Sequence, residues 1–355
     1  MSDTTAHPSG DSNTYGQFKL DVLTDWLRGQ GIVERGALSC QPLTGGQSNP
    51  TFLLTKGSQQ LVLRKKPPGV LMASAHAVDR EYRVMKALQD SDVPVPKLHA
   101  FSDDLEIVGT PFYIMEFLKG RVIVDQSLPG MTPAQRGAIY EEMNRVIAAL
   151  HQVDPGAVGL ETFGKPGNYF QRQIARWSRQ YLEANTENIE SLHALIEWLP
   201  QNIPAGDQTS IVHGDYRLDN LVFHPTEPRA IGLLDWELAT LGHPMADFAY
   251  HCMSWHIPAS LWRGIAGLDL AALGIPDETA YVKRYTEATG FAGEEHWDFY
   301  IAYNLFRMAA ILQGIARRAA DGTASAPDAK ETGSKARPLA DIGWHYAQRY
   351  ERSKR

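Results

Sequence analysis

The segment Val212-His213-Gly214-Asp215-Tyr216-Arg217-Leu218-Asp219-Asn220, with the apolar run Ile231-Gly232-Leu233-Leu234 and then Asp235-Trp236-Glu237, constrains this chain more than any other. A short apolar stretch, a loop dense in polar groups, and a second apolar stretch ending on a carboxylate read as strand, loop and strand. The loop places an Asp two residues after a His and an Asn five residues after that Asp; Asp235 follows Asn220 by fifteen. Phosphoryl transfer needs such parts. A carboxylate must accept or orient the nucleophile's hydroxyl proton, and an amide and a second carboxylate must hold the Mg²⁺ that neutralises charge developing on the phosphates. Asp215, Asn220 and Asp235 supply those three groups, and Arg217 is grouped with Asp215 as a catalytic candidate.

A chain of 355 residues predicts two domains or one large one, and 43% hydrophobic with 21% charged residues is ordinary globular usage. Gly 30 and Pro 21 are too few for a collagenous or low-complexity chain. The net charge of −7 argues against a nucleic-acid partner, whose binder should carry a basic footprint. That total conceals an acidic middle, with 12 basic and 23 acidic residues over 121–300, and a basic end, with 10 and 5 over 301–355. Cys40 and Cys252, with no secretory signal before them, predict no disulfide framework and fit a reducing, cytoplasmic compartment. No apolar run approaches the ~20 residues needed to span a bilayer, so no membrane partner is expected. Met1–Gly16 reads as a disordered polar arm.

Leu20, Leu23, Trp26 and Leu27 share one face of a leading helix over Phe18–Leu27. Gln41–Thr55 and Gln59–Lys65 read as a hairpin turning at Gly57 and Ser58, and Val78, Tyr82, Met85 and Leu88 mark an amphipathic helix over Ala75–Asp90. Strands are expected around Lys97–Phe101 and Thr110–Phe117. Beyond Gly120 the chain turns mostly helical: Thr132, Pro133 and Gln135 form a helix start, and further helices are expected from Phe170, over Leu192–Leu199, over Trp297–Arg318 and over Leu339–Glu351. Asp321–Pro338 has no period and reads as a mobile loop.

His213-Gly-Asp215-x-x-x-x-Asn220 and Asp235-Trp-Glu237 resemble the catalytic and metal motifs of the aminoglycoside phosphotransferase and choline-kinase-like family, relatives of the protein kinases. Gly45-Gly46-Gln47-Ser48-Asn49, Leu63-Arg64-Lys65-Lys66-Pro67-Pro68-Gly69, Gly167-Asn168-Tyr169-Phe170 and Phe306-Arg307-Met308-Ala309-Ala310-Ile311-Leu312-Gln313-Gly314 resemble the branch found beside or fused to acyl-CoA dehydrogenases. The resemblance implies an α+β, bilobal, protein-kinase-like fold. Its expected layout is a disordered arm over 1–16, a small antiparallel-sheet N-lobe over 17–118 and a larger mainly helical C-lobe over 119–355. It also implies ATP and Mg²⁺ as cofactors. Gly45, Gly46, Gln47, Ser48 and Asn49 would form the nucleotide flap, and Arg64 would meet the phosphates, with Lys66 on the same strand face as the alternative. Glu81 would fix that cation, Glu116 and Leu118 would lie in the adenine-binding hinge, and Asn220 and Asp235 would hold metal. Glu237 is either an additional metal-shell oxygen or a structural acceptor, and Asp247 would brace the catalytic loop.

The expected activity is ATP- and Mg-dependent transfer of the γ-phosphoryl group to the hydroxyl of a small molecule. Arg307, Arg317, Arg318 and the Arg349–Arg355 tail suit an anionic acceptor, and the resemblance implies a hydroxyacyl-CoA thioester. An antibiotic kinase and a catalytically silent nucleotide-binding module are the alternatives. Gly159–Lys165 imitates a phosphate loop, but Pro166 replaces the required Ser or Thr. His251, Cys252 and His256 lack a second ligand pair for zinc.

Overall fold

The computed structural model describes residues 14–15, 18–43, 49–68, 77–184, 186–206, 208–324 and 326–354. The chain divides into two compact units, one formed by the residues up to Gln89 with Val95–Lys119, the other by Asp90–Pro94 with Gly120–Arg355.

In the first unit, β1 (Thr14–Tyr15) pairs with β2 (Phe18–Lys19), so part of the segment expected to be an arm carries a strand. Helix α1 (Leu20–Gly29) starts two residues later than its periodicity suggests, with Asp21 in its first turn and Arg28 in its last, as the helix dipole favours. β3 (Ser39–Pro42), β4 (Thr51–Lys56), β5 (Gln59–Lys65), α2 (Val78–Ala87), β6 (Leu98–Ser102), α3 (Leu105–Val108) and β7 (Phe112–Glu116) follow. The strands form one antiparallel sheet in the order β3-β4-β5-β7-β6. β5 lies at its centre and is buried on both faces. Leu61 and Leu63 join Leu23, Leu27, Leu54 and Phe112 in a core against α1 and α3, while alternation turns Val62 and Arg64 the other way. Lys65 follows Leu63 inward. Its Nζ donates to the Val108 carbonyl at 2.5 Å and lies 5.2 Å from the centroid of the Phe18 ring, and burial lowers its pKa.

The second unit begins with β8 (Arg121–Val122) and α4 (Pro133–Gln152). The expected start of α4 is present: Thr132 accepts from the Gln135 amide, and the Gln135 side chain accepts from the Thr132 amide. Then come α5 (Tyr169–Ala184), α6 (Glu190–Trp198), β9 (Ser210–Val212), β10 (Leu221–Phe223), β11 (Ala230–Leu233), β12 (Thr240–Gly242), α7 (Pro244–Cys252), α8 (Leu270–Leu273), α9 (Glu278–Thr289) and α10 (Trp297–Ala320). β8, β10 and β11 make one antiparallel ribbon, and β9 pairs with β12. Helix α10 is buried without interruption from Phe299 to Ala310, because the C-terminal helix Ala336–Ser353 packs along it and α5, α6 and α7 cover its other sides.

The expected loop over Asp321–Pro338 is corrected by the structure. It contains α11 (Ala329–Ser334), and α12 (Ala336–Ser353) begins inside it. The small residues that resemble a loop by composition are an adaptation to close packing: a Cβ on Gly333 would come within 2.7 Å of the Ala316 side chain on α10. Among the described residues, no helix is long and apolar enough to cross a membrane.

Candidate active site

The loop between β9 and β10 carries the first candidates, and α7 braces it from behind. Gly214 has φ +82°, and a Cβ there would lie 2.7 Å from the Leu238 carbonyl, so glycine alone fits. The Asp247 carboxylate takes both free amides of this bend, from His213 at 2.7 Å and from Gly214 at 2.8 Å. His151 on α4 meets the same carboxylate at 3.2 Å and the Tyr285 hydroxyl at 2.6 Å. Burial alone would raise the Asp247 pKa, but these hydrogen bonds outweigh it and hold the carboxyl below its usual range.

His213 is also fully buried. Its Nδ1 accepts from the Asp215 amide at 3.2 Å, so its Nε2–H donates to the Leu234 carbonyl at 2.9 Å. One imidazole therefore links Asp215 to the end of β11. Asn220 closes the loop, its Nδ2 donating to the Asp215 carbonyl at 2.8 Å and to Asp215 Oδ2 at 3.2 Å. The Leu234 amide donates to the Asn220 carbonyl at 2.8 Å, which continues the Leu221–Leu233 register and brings Asn220 and Asp235 to the same end of the ribbon. Asp235 is held at φ 66° and ψ 57°, a left-handed conformation that costs an L-residue roughly 1–2 kcal/mol and that functional sites retain. Glu237 sits in the following helical turn, Trp236–Leu238.

The other Asp215 oxygen is met by one residue from outside the loop and one from within it. The Tyr250 hydroxyl on α7 donates to Oδ1 at 2.5 Å, and Arg217 Nε lies 3.3 Å from the same atom. Burial and then the Asp215 charge push the Tyr250 phenol well above its ordinary pKa. Arg307 on α10 donates to the Gly214 carbonyl at 2.5 Å, and its guanidinium lies 4.9 Å from the Tyr250 ring centroid. This corrects the expectation that Arg307 faces an anionic acceptor: it is 5% exposed and supports the loop from inside. Arg317 pairs with Asp321 and Arg349 with Asp298, so these tail cations are engaged locally too.

An open pocket begins beside Asp215. Arg217 and Tyr250 line it, as do Arg263, Trp262, Met253 and Met308, and none of its described lining residues is an Asp or Glu. Asp219 behind it is shared by Arg217, at 3.5 Å, and Arg263, at 2.8 Å.

In the first unit, Arg64 meets Glu81. Its Nε lies 2.8 Å from Glu81 Oε2, and its cross-strand partner Tyr113 donates to the same oxygen at 2.9 Å. Asn49 donates to Glu81 Oε1 at 2.6 Å, so a residue read as part of the flap is tied to the helix glutamate. Glu116 ends β7 with its carboxylate on the Lys97 amide at 2.7 Å, and Leu118 follows it. Gly45, Gly46, Gln47 and Ser48 lie outside the described residues.

Oxygen donors suit Mg²⁺, which takes one or two carboxylates and completes its shell with phosphate and water. Asn220, whose nitrogen is committed to Asp215, has its amide oxygen to offer, and Asp235 has a carboxylate, so this donor set fits. Among the described residues, no group of three His, Cys, Asp or Glu side chains is placed to hold a metal ion.

A two-unit kinase-like fold with this loop defines a phosphotransferase-type protein. The chain belongs to the phosphotransferase enzyme family, whose sequence profile it matches over residues 39–303. It is 44% identical over 330 residues to mouse acyl-CoA dehydrogenase family member 10, a match covering 92% of this chain and 31% of that protein. The chain thus spans about a third of the length of that relative. A crystal structure from Ralstonia eutropha JMP134, provisionally assigned as an aminoglycoside phosphotransferase, is 56% identical with a TM-score of 0.86 and covers 94% of this chain and 99% of that one. The aminoglycoside phosphotransferase APH(4)-Ia in a ternary complex with AMP-PNP and hygromycin B shares the fold at 15% identity, with a TM-score of 0.60 over 90% of this chain and 98% of that one.

Sequence reading missed Tyr250, Arg263 and the inward role of Arg307. Two of the three left a signal. Tyr250 stands three residues after Asp247, on the same face of a helix, and Arg307 interrupts an apolar run where a cation has no water to reach.

Proposed function

We propose that the chain is an ATP- and Mg²⁺-dependent kinase that phosphorylates the hydroxyl of a small anionic acceptor with an apolar part, a hydroxyacyl-CoA thioester being the class that fits. The observation that carries this reading is the pocket beside Asp215, which presents two guanidiniums and no carboxylate among its described lining residues. A polycationic aminoglycoside would find no carboxylate on that lining to pair with. Asp215 takes or orients the acceptor proton while the acceptor oxygen bonds to the γ-phosphorus; the bond from that phosphorus to the bridging oxygen breaks and ADP leaves. Asn220 and Asp235 would hold Mg²⁺, with Glu237 beside them, and the bound ion would neutralise phosphate charge. Arg64, oriented by Glu81, would meet the nucleotide phosphates, Gly45–Asn49 would cover them, and Glu116 to Leu118 would receive adenine. Arg217 steadies the Asp215 carboxylate and faces the acceptor. The two cysteines, buried and free, suit a reducing cytoplasm.

Purified protein with Mg·ATP and a panel of hydroxyacyl-CoAs, aminoglycosides and choline, read by product mass, tests the proposal. Transfer to the thioesters, abolished in Asp215→Asn with nucleotide binding retained, is the expected result. Transfer to aminoglycosides alone, or full turnover in Asp215→Asn, would overturn it.

A further inference from the structure

The loop that follows α7 is held more tightly than a connector requires. At its start, His256 is clamped between the Tyr346 hydroxyl, 2.6 Å from Nδ1, and Glu278, 2.5 Å from Nε2. Its two arms are then stitched together: Ala266 donates to the Ile257 carbonyl at 3.0 Å, Leu261 to the Pro258 carbonyl at 2.9 Å, and Pro258 bridges Ala266. A Cβ on Gly264 would sit 1.8 Å from the Ile257 carbonyl, so the crossing closes on a hydrogen atom. Next to it, Arg263 is held at φ 47°, a left-handed strain that persists only where surrounding structure over-determines it. That strained residue leaves its own loop to grip Asp219 in the catalytic loop at 2.8 Å.

The tip so fixed presents Trp262 to the pocket that Met253 and Met308 also line. Trp supplies a rigid apolar wall, and methionine thioethers adapt to chains of different shape. The pocket runs without a break from these residues to Arg217 and Tyr250, the two groups that also touch Asp215. We infer that residues 257–267 form the acceptor-selecting wall of this enzyme: Trp262 with Met253 and Met308 holds the aliphatic chain that carries the reacting hydroxyl. Arg263, through Asp219, is the positioning residue that locks this wall to the catalytic loop. The inference rests on the kinase reading above for its substrate, and on the loop's own geometry for its residues.

The test uses short-, medium- and long-chain hydroxyacyl-CoAs. With Trp262→Ala, the KM for medium- and long-chain acceptors rises roughly ten-fold, while the KM for ATP and for the shortest acceptor stays put. Arg263→Asn keeps a residue that tolerates the left-handed backbone but cannot reach as guanidinium does. It raises acceptor KM in the same direction, and Arg263→Lys restores part of the loss. A chain-length profile unchanged in both variants overturns the inference. Should the wild type transfer phosphate to none of these compounds, calorimetric binding of the same thioesters decides separately. Binding that weakens in Trp262→Ala keeps the wall and sinks the kinase reading, whereas no binding to the wild type sinks the wall.

Discussion

Asp215 spends its two oxygens differently. Oδ2 faces the Asn220 amide within its own loop, and Oδ1 receives the Tyr250 hydroxyl from α7. A carboxylate held on both sides cannot swing, which suits a group that must meet an acceptor proton in one orientation. Hydrogen bonds to charged groups are worth about 1.5–3 kcal/mol, so losing the Tyr250 bond should cost roughly ten-fold or more in turnover. We expect Tyr250→Phe to lower kcat to that extent with the KM for ATP unchanged, because the ring stays over Arg307. Steady-state kinetics with saturating ATP checks this, and an unaltered kcat would remove Tyr250 from the machinery. Asp215, Asn220 and Asp235 stood out in the sequence as candidates because phosphoryl transfer calls for their types and spacing. Tyr250 left only the hint of its spacing from Asp247, and Arg263 left none, because it reaches the site across a tertiary contact with Asp219 that no local pattern encodes.

Helix α7 concentrates buried titratable groups. His243 precedes its first turn, Asp247 caps the catalytic bend, and His251 lies in its last turn with Nε2 2.8 Å from the Tyr281 hydroxyl. Burial pushes the His243 pKa down to about 4 and that of His251 to about 3. An unfolded chain would protonate both near pH 6.5, so below that pH the unfolded state binds protons that the folded state refuses, and stability falls. By pH 5 each imidazole should have withdrawn on the order of 2 kcal/mol. Asp247, with its pKa lowered, adds a loss that starts only near pH 4 as the unfolded carboxyl protonates. Thermal melts should therefore be level above pH 7 and drop between pH 6.5 and 5, with a shallower drop in His251→Gln. Equal slopes for the two proteins would show that another group governs acid lability. The element that braces the loop is thus also the one that acid should release first.

At the scale of the molecule, the order of strands and helices in the N-terminal third and the helical remainder were readable from alternation and periodicity, while the kinase-like architecture followed from the resemblance of the catalytic motifs to a known family. The misread segment, Asp321–Pro338, failed for a physical reason: Ala329 and Gly333 are small because α11 presses on α10, and smallness resembles a loop when the neighbour is unseen. The basic C-terminal stretch misled in the same way. A charge sum cannot tell Arg307, inside the unit, from Arg317 on its surface.

One consequence concerns the end of β5, where Arg64 and Lys65 are followed by Lys66 and the middle one of the three turns inward. Lys65 is 2% exposed, and its lowered pKa gives it more of the reactive neutral amine than an exposed lysine has. Access rather than chemistry protects it, so its modification must wait for the first unit to open. Under an acylating reagent, Lys119 should react at once and Lys65 only at the opening rate, and Leu63→Ala should quicken Lys65 alone. Peptide mass spectrometry over time would read this, and equal rates for the two lysines would refute it. A cation placed where water cannot follow makes this sheet its own clock.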